Sequence, residues 1–371
     1  MKKNYSLWGV AFVAFFCLLY SCFNDVDSSK TRCMISIAET GPFIIGEKSH
    51  LPLRLVQFDS KLNALTGYNS ANHSIDIWDL KNSTFLKGIY LESEGPKAIN
   101  DVKSFYLINY DSLVILTNYA FFIIDSTNEI IEKISINKGT AGLAGINFDS
   151  LQIFNDANDR NRIHYNNQSI YFSIKEFNND FYAYNHSIIG KINLNTKLVT
   201  LLPIKHDKRY KNNSYGLFDK QNVTYLEDKI IINFPISNDI YIYSYDGSLI
   251  EHKDPKGTYT NLECQPYIGH KVFDDLNIDK HLNSNPTYYP LVYLEKYDKF
   301  LRIHRPPIIE DKDKFYLTLF DEHINIEEER VLNRTGQTLA TMFNDNESMY
   351  VYKWGSSEDT VIFKTYSVKC N

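Results

Sequence analysis

The sequence contains none of the strong motifs that identify enzyme families. It has no G-x-S-x-G elbow of the kind that serine hydrolases use. The glycine-rich stretch at 139–145 lacks the spacing and the lysine of a phosphate-binding loop, so we interpret it as a connection. The acidic runs at 274–275 and 327–329 do not provide the two separated carboxylates that glycoside hydrolysis uses. We therefore favour a protein that is not an enzyme, and we assign no catalytic residue, cofactor or metal ligand.

Positive charge is not clustered anywhere along the chain. Lysine and arginine number 39 against 45 acidic residues, the net charge is −6, and the two signs are interspersed. Proteins that bind a nucleic-acid backbone present grouped lysine and arginine side chains. This composition therefore argues against a nucleic-acid partner.

The one long apolar run lies at the amino terminus. Two lysines at positions 2 and 3 precede the uncharged run Leu7–Tyr20, which ends in Leu19-Tyr20-Ser21-Cys22. This ending resembles a bacterial lipobox, in which the cysteine is acylated and becomes the new amino terminus. The run is shorter than the roughly 20 residues of a membrane-spanning helix, and no A-x-A cleavage site follows it. We predict a lipoprotein signal peptide at 1–21 and lipidation of Cys22, so that the lipid anchors the chain in a membrane; an ordinary signal peptide and an uncleaved anchor are the alternatives.

Cysteine is scarce in the mature chain. Cys17 would leave with the signal peptide and Cys22 would carry lipid, so Cys33, Cys264 and Cys370 remain. No C-x-x-C or Cys/His spacing indicates a zinc site. Three cysteines permit one disulfide at most plus a free thiol, and we interpret them as buried, lightly used thiols.

Aromatic residues in short strands dominate the rest of the chain. Tyrosine and phenylalanine number 27 and 23, while alanine is sparse, and this composition favours β-sheet over helix. One unit recurs, a strand that ends in a polar turn and is followed by another strand. Its turn residues are Asp79, Asp125, Asn195, Asp246 and Asp321. Units of several strands that recur at about 40–50 residues indicate a β-propeller.

The recurring unit predicts an all-β propeller domain at 34–371, joined to the lipidated cysteine by a tether at 22–33. We favour six blades, and seven is the alternative if residues 140–215 hold more than one blade. The carboxy-terminal unit is one strand short, and Met34–Ile37 would supply its outer strand and close the ring. A β-sandwich would leave the recurring unit unexplained.

One hairpin carries the best candidate for a ligand-binding site. Its strands are Leu291–Glu295 and Phe300–Arg305, and alternation places Arg302 and His304 on one face of the second strand. We expect that face to meet solvent or a ligand; a salt bridge with stacked aromatic rings is the alternative. The candidate ligand-binding residues are Tyr288, Tyr289, Arg302 and His304.

The lipobox, the irregular repeats and the segment Tyr288–Arg305 together resemble an uncharacterised family of Bacteroidetes lipoproteins with a propeller-like domain of unknown function. The resemblance covers nearly the whole mature chain, and it implies no functional residue. It implies a location in the cell envelope of a bacterium with two membranes, with the anchor in the outer membrane. Asp25 and Asp27 resemble the surface-export signal of such bacteria, and the choice between the surface and the periplasmic face stays open.

These observations favour a cell-envelope lipoprotein that acts as a binding or scaffolding propeller for a glycan, peptide or protein partner. Tyrosine suits such a role, because an aromatic ring with a polar tip is common on recognition surfaces. The alternative is a polysaccharide hydrolase or lyase with its active site in the central mouth of the propeller, since a fold does not determine an activity.

Overall fold

Six antiparallel sheets follow one another in chain order around a ring. The computed structural model describes residues 33–39, 43–44, 54–59, 62–82, 84–135, 151–153, 162–176, 186–267, 275–333, 337–353 and 360–370. Each sheet is a blade of four or five strands. The chain is therefore an all-β, six-bladed propeller, as the sequence predicts.

The chain enters the ring through two strands that belong to the last blade, β1 (Cys33–Glu39) and β2 (Phe43–Ile44). Blades 1 to 3 then follow in order. Blade 1 contains β3 (Arg54–Asp59), β4 (Ala64–Asn69), β5 (Ser74–Asp79) and β6 (Thr84–Tyr90). Blade 2 contains β7 (Ser104–Asn109), β8 (Ser112–Leu116), β9 (Ala120–Asp125) and β10 (Ile130–Ser135). Blade 3 contains β11 (Leu151–Ile153), β12 (His164–Asn166), β13 (Ser169–Glu176), β14 (Ile189–Asn193) and β15 (Val199–Leu201).

The second half of the ring has the same strand order. Blade 4 contains β16 (Asn222–Tyr225), β17 (Lys229–Asn233), β18 (Ile240–Ser244) and β19 (Leu249–Lys253). Blade 5 contains β20 (Thr287–Leu294), β21 (Lys299–Arg305), β22 (Lys314–Phe320) and β23 (Ile326–Asn333). Blade 6 contains β24 (Gln337–Asn344), β25 (Ser348–Lys353) and β26 (Thr360–Cys370). The helical segments described are α1 (Asp275–Ser284) and 3-10 turns at Lys208–Lys211, Gly216–Phe218 and Glu295–Tyr297.

Residues 140–215 hold one blade in the described structure. The short strands β11 and β12 both pair with β13, at its end and its start respectively. They are therefore two parts of one inner strand, and the ring has six blades rather than seven.

The amino-terminal strand closes the ring. In the antiparallel pairing of β1 with β26, Met34 lies opposite Lys369 and Ile37 lies opposite Tyr366. The predicted role of Met34–Ile37 as the outer strand of the last blade is therefore confirmed. The backbone amide of Ile35 also donates to Glu328 Oε2 of blade 5 at 2.6 Å, which ties the closing strand to the neighbouring blade.

A disulfide joins Cys33, the first residue of β1, to Cys370, the last residue of β26. The strand register places these two cysteines opposite each other, although 337 residues separate them in sequence. The interpretation of all three cysteines as lightly used thiols is therefore wrong for this pair. Cys264 is a free, buried thiol.

The unit that recurs in the sequence is the third strand of a blade with the turn that follows it. In blades 1 to 5 the side-chain Oδ1 of the turn residue accepts a hydrogen bond of 2.9–3.0 Å from the backbone amide two residues later. Aspartate and asparagine are favoured in such turns because the short side chain substitutes for a backbone acceptor. In blade 3 this residue is Asn193, two positions before the predicted Asn195. Blade 6 has no such turn because its outer strand comes from the other end of the chain.

A hydrophobic core fills each of the six interfaces between neighbouring blades. The interface between blades 6 and 1, where the ring closes, contains the fully buried Trp78 together with Phe343 and Phe363. Burial of such rings contributes about 1.5–3 kcal/mol each. The ring is thus closed by packing as well as by strand pairing and the disulfide.

The first strand of each blade faces the central channel, and first strands of neighbouring blades such as β16 and β20 or β3 and β24 contact one another. Polar side chains on these strands donate to carbonyl oxygens of a neighbouring blade. Examples are Gln57 to Phe105 at 3.2 Å, Thr224 to Leu291 at 2.6 Å and Asn344 to Tyr293 at 3.0 Å. These bonds satisfy buried polar groups that line the channel.

The two ends of the channel are built differently. Because the strands of a blade alternate in direction, the turn from the first to the second strand lies at one end, and the connection between blades lies at the other. The long connections 202–221 and 254–286, which include α1, therefore lie at the second end. Among the described residues, no helix is long and apolar enough to span a membrane.

Candidate functional site

A cavity of about 310 Å³ lies in the central channel. All six blades contribute lining residues from their first strands or from residues next to those strands. The polar and aromatic residues among them include Asp59, Tyr106, Arg162, His164, Tyr225, Tyr293, Glu295, Asn344 and Asp345. We call this cavity the channel mouth.

The channel mouth opens at the end where first strands turn into second strands. Asp59 is the last residue of β3, Glu295 directly follows β20, and Asp345 directly follows β24. These three carboxylates therefore mark the rim. Arg162 precedes β12 by two residues and Met342 lies two residues before the end of β24, so both are deeper in the channel.

An aromatic wall forms the side of the channel mouth at blades 2 to 4. The His164 ring stacks on Tyr225, with centroids 4.8 Å apart and an angle of 3° between the planes, and meets Tyr106 edge-on at 5.5 Å. Burial, and secondly the charge of Asp59, raises the pKa of Tyr106 to about 12. Burial also raises the pKa of Tyr225 well above its usual value. Both hydroxyls therefore stay protonated at neutral pH and can donate to a ligand.

Arg162 crosses the channel. Its Nη2 donates to the backbone carbonyl of Met342 at 3.3 Å, which joins blade 3 to blade 6 on the opposite side of the ring. A guanidinium is always protonated at neutral pH and carries its charge on a planar fork of five N–H donors. Arg162 therefore forms a cationic floor beneath the rim.

The three rim carboxylates differ in their local contacts. Asp345 accepts hydrogen bonds from the Glu347 and Ser348 amides, each at 2.7 Å, and from the Tyr350 hydroxyl at 2.6 Å. Asp59 accepts from the Leu62 amide at 2.9 Å. Glu295 is exposed. Asp345 thus stabilises its own turn, whereas Asp59 and Glu295 are better placed to attract a ligand.

The predicted site around Arg302 lies elsewhere, between blades 4 and 5. Arg302 and His304 share one face of β21, as the alternation predicts, but both are fully buried. Arg302 donates to the Asn238 backbone carbonyl at 3.1 Å and to its side-chain oxygen, and it lies over the Tyr288 ring at 4.8 Å. The expectation that this face meets solvent is therefore wrong, because residues 238 and 259–262 cover it.

The covering segment is 254–267, at the start of the connection between blades 4 and 5. His304 Nε2 donates to the Tyr259 carbonyl at 2.7 Å, and the Tyr288 hydroxyl donates to the Thr260 carbonyl at 2.7 Å. Glu329 accepts from the Thr258 amide at 2.6 Å. These hydrogen bonds hold the segment over the strand face.

Of the four predicted residues, the structure brings Tyr288, Arg302 and His304 together and places Tyr289 on the other side of the sheet. The Tyr288 ring stacks on His304 at 5.1 Å, whereas Tyr289 belongs to the core between blades 5 and 6. Burial lowers the pKa of Arg302 to about 10, and burial and the Arg302 charge lower the pKa of His304 to about 3. Arg302 is thus charged and His304 neutral at pH 7; ligand binding by these residues stays a prediction.

Residues 33–331 match the family model described as a domain of unknown function, DUF4221. The chain belongs to the DUF4221 family. A DUF4221 family member from Bacteroides vulgatus, solved by crystallography, matches with a TM-score of 0.70 at 15% identity, over 91% of this chain and 99% of that chain. A Bacteroides fragilis protein named "Putative exported protein" matches with a TM-score of 0.53 at 8% identity, over 93% of this chain and 96% of that one. These likenesses show the fold; no curated protein matches the chain.

This DUF4221 protein also contains a cysteine, a histidine and an asparagine in one cluster. Cys264 Sγ lies 3.9 Å from His281 Nε2, and Asn285 Nδ2 lies 3.2 Å from His281 Nδ1. Burial raises the pKa of the Cys264 thiol to about 12 and lowers the pKa of His281. Since the thiolate is the nucleophilic form, this arrangement favours an inert core thiol. Nor does the described part of the chain group three or more potential metal ligands.

The residues of the channel mouth are not identified by the sequence analysis of this DUF4221 protein. They come from six strands spread over the chain, and none forms a local motif. The sequence does contain a signal for the strands that line the channel. The recurring turn follows the third strand of each of blades 1 to 5, so the first strand of that blade is found by counting back two strands. This rule places Tyr106, Tyr225 and Tyr293 on strands that face the channel.

Proposed function

We propose that this DUF4221 protein is a lipid-anchored binding propeller of the cell envelope, which takes a small polar ligand into its channel mouth. The observation that carries the proposal is the cavity of about 310 Å³ to which all six blades contribute. This volume is at the lower end of the range for small-molecule sites, about 300–1,000 Å³. It suits one or two sugar or amino-acid units better than a long polymer.

The lining of the channel mouth supports binding of a polar ligand. It combines aromatic rings at His164 and Tyr225 with a guanidinium at Arg162 and carboxylates at Asp59 and Glu295. Aromatic surface supplies contact area at low cost in side-chain entropy, and the polar groups supply specific hydrogen bonds. The six rigid blades hold these groups in place before a ligand arrives, which reduces the entropy lost on binding.

Three observations support an envelope location. The apolar run at the amino terminus ends in Leu19-Tyr20-Ser21-Cys22, which resembles a lipobox. The disulfide between Cys33 and Cys370 is of a kind that persists in oxidising compartments outside the cytosol. The Bacteroides fragilis protein with the same fold carries a name that describes export.

The test is a ligand screen with a blocked channel mouth. We would measure the melting temperature of the mature chain without its signal peptide in the presence of maltose, cellobiose, N-acetylglucosamine or one of several dipeptides. A ligand that binds the folded state raises this temperature. The blocking variant is Asn346→Trp, at the rim, and the matched control is Lys312→Trp, on the exposed turn between β21 and β22.

We expect at least one probe to stabilise the wild type and the control, and to lose its effect in Asn346→Trp. If no probe stabilises the wild type, or if the blocked variant responds as the wild type does, the channel mouth is not the binding site. Product analysis of the same mixtures would report any turnover of the sugars.

A further inference from the structure

We propose that the channel mouth faces the lipid surface of the membrane that holds the anchor, so that a ligand enters from the space between the ring and this surface. This inference rests on the proposed function, because it takes Cys22 as the lipidated residue. Three features of the chain carry it: the end of the ring at which Cys33 lies, the disulfide of Cys33, and the length of the tether.

Strand direction places Cys33 at the mouth end of blade 6. The first strand of this blade, β24, ends at the mouth with Asn344, and β25 begins there with Ser348. Ser348 lies opposite Ser367 of β26. Cys370, which follows Ser367 by three positions, lies opposite Cys33. The chain therefore enters the ring at the level of the rim or above it, on the same side as the channel mouth.

The disulfide fixes this point of entry. Separation of β1 from β26 would add its seven residues to the tether and let the ring turn over. The bond between Cys33 and Cys370 prevents such a separation at the residue where the tether meets the ring. The Ile35 amide, which donates to Glu328 Oε2 of blade 5 at 2.6 Å, holds the same strand from the other side. The start of β1 is thus held covalently as well as by hydrogen bonds.

The tether is too short to bring the opposite end of the ring towards the membrane with ease. Cys22 precedes Cys33 by eleven residues, and at about 3.3–3.6 Å per residue its greatest reach is about 36–40 Å. The wall of blade 6 along β26, Thr360–Cys370, is about 33 Å high at about 3.3 Å per residue. The mouth can face away from the membrane only if nearly every tether residue is fully extended along this wall. Any more compact tether leaves the mouth end nearer to the lipid.

The charge of the mouth end keeps the rim from sealing against lipid headgroups. The turns at this end, with the strand residue on either side of each, contain 14 acidic residues and five lysines among the described positions. The rim residues Asp59, Glu295 and Asp345 belong to this set. An anionic lipid surface repels such carboxylates over about a Debye length, about 10 Å at 0.1 M salt. The mouth therefore stays open to a ligand that moves along the membrane.

Energy transfer from the ring to the membrane tests the orientation. p-Azidophenylalanine at one of four exposed turn positions would carry a donor dye, and a headgroup-labelled lipid would be the acceptor. His323 of blade 5 and Asn195 of blade 3 lie at the mouth end, whereas Lys312 of blade 5 and Ala71 of blade 1 lie at the opposite end. His323 and Lys312 form a matched pair, since they lie at the two ends of β22 and are about 20 Å apart along that strand.

The first preparation is the lipoprotein with its own anchor, purified and inserted into phosphatidylcholine vesicles. We expect higher transfer from His323 and Asn195 than from Lys312 and Ala71. Replacement of part of the phosphatidylcholine by phosphatidylglycerol should lower transfer from the two mouth-end positions at low salt, and added sodium chloride should restore it. Melting curves check that every labelled protein is folded.

The second preparation tests the orientation without the acyl chains. The chain from residue 23, with an added amino-terminal hexahistidine, would be held on vesicles that contain a nickel-chelating lipid, and it should give the same order of transfer. Insertion of about 20 glycine and serine residues after Asp27 raises the reach of the tether to about 100 Å and should remove the difference between the two ends. The same insertion after Asn371 leaves the tether unchanged and should keep the difference.

The outcomes separate this inference from the proposed function. If Lys312 and Ala71 transfer as strongly as His323 and Asn195 in both preparations, the orientation is wrong, while the ligand screen with Asn346→Trp still decides whether the channel mouth binds. If phosphatidylglycerol raises transfer from the mouth-end positions, the rim seats on lipid and the mouth is not open. If the purified protein carries no fatty acid, the anchor and this inference both fail.

Discussion

At the residue scale, the same side-chain chemistry has different effects at different depths in the propeller. Aspartates at the ends of third strands are partly or fully exposed and cap their turns. Hydrogen bonds from Asn82 lower the pKa of Asp79, and the Thr127 hydroxyl lowers the pKa of Asp125. Between blades 4 and 5, by contrast, Arg302 and His304 are fully buried, and their environment disfavours the protonated forms.

The buried His304 makes stability depend on pH. Its pKa falls from 6.5 to about 3 in the folded protein, because of burial and then the Arg302 charge. Below pH 6.5 the unfolded chain binds a proton at this residue and the folded chain does not. This difference should lower the free energy of unfolding by about 1.4 kcal/mol per pH unit as the pH falls towards 3. Urea denaturation of wild type and His304→Gln at pH 7.5, 5.5 and 4.5 measures it.

The variant His304→Gln should lack this part of the pH dependence. Glutamine keeps a donor for the Tyr259 carbonyl but does not titrate in this range. His323→Gln, at an exposed position, is the control and should keep the wild-type slope. Equal slopes for wild type and His304→Gln would contradict the assignment of the effect to this histidine.

At the scale of elements, the amino-terminal strands β1 and β2 both pair with β26, which lies at the other end of the sequence. β1 supplies the outer strand of blade 6, and Ile35 contacts Glu328 of blade 5 through its backbone amide. Blade 6 is thus stabilised by pairing between strands from the two ends of the sequence and by a hydrogen bond to blade 5. Strand and disulfide can be tested separately.

Deletion of Met34–Ile37 should destabilise the protein far more than deletion of the tether residues that precede Cys33. The deletion leaves the backbone groups of β26 without partners at a new sheet edge. Melting temperatures of the two truncated proteins give the comparison. Equal values would show that β1 does not close the ring.

The double variant Cys33→Ser with Cys370→Ser should lower the free energy of unfolding by about 2–5 kcal/mol, because the disulfide restricts the unfolded chain. Denaturant unfolding of the oxidised proteins measures the difference. Reduced wild type should behave like the double variant, and a reducing agent should leave the double variant unchanged. A wild type insensitive to reduction would argue against the bond.

At the scale of the whole molecule, the predicted anchor lies outside the residues that form the described ring. The described ring begins at Cys33, and the predicted lipidation site is Cys22. One acyl chain retains a protein only marginally, whereas several chains add about 0.8 kcal/mol for each buried CH₂ and make retention stable. Because Cys22 precedes the first described strand by eleven residues, we expect removal of the anchor to leave the fold of the ring unchanged.

Cys22→Ser should abolish fatty-acid labelling and either release the protein from the membrane fraction or leave an uncleaved precursor held by Leu7–Tyr20. The circular dichroism and melting curve of the ring should not change. Labelling followed by detergent partitioning of wild type and variant decides the matter. A wild type without label, or a mature amino terminus other than Cys22, would remove the lipoprotein prediction.

The sequence by itself determined the features that arise from local interactions. The strand and aspartate turn recur because an aspartate caps its own turn, and this repeat predicts the blades. The closing role of Met34–Ile37 follows from a strand missing at the other end of the chain, and the alternation of Arg302 with Leu301 follows from the period of a strand.

Only the tertiary structure decided which distant groups meet. The disulfide depends on the register of β1 against β26, which composition does not reveal. The burial of Arg302 and His304 depends on the path of 254–267, because a connection without a recurring pattern folds over the strand face. The channel mouth depends on six first strands whose side chains meet only when the ring is closed, so its rim of carboxylates and its floor at Arg162 exist in the folded ring alone.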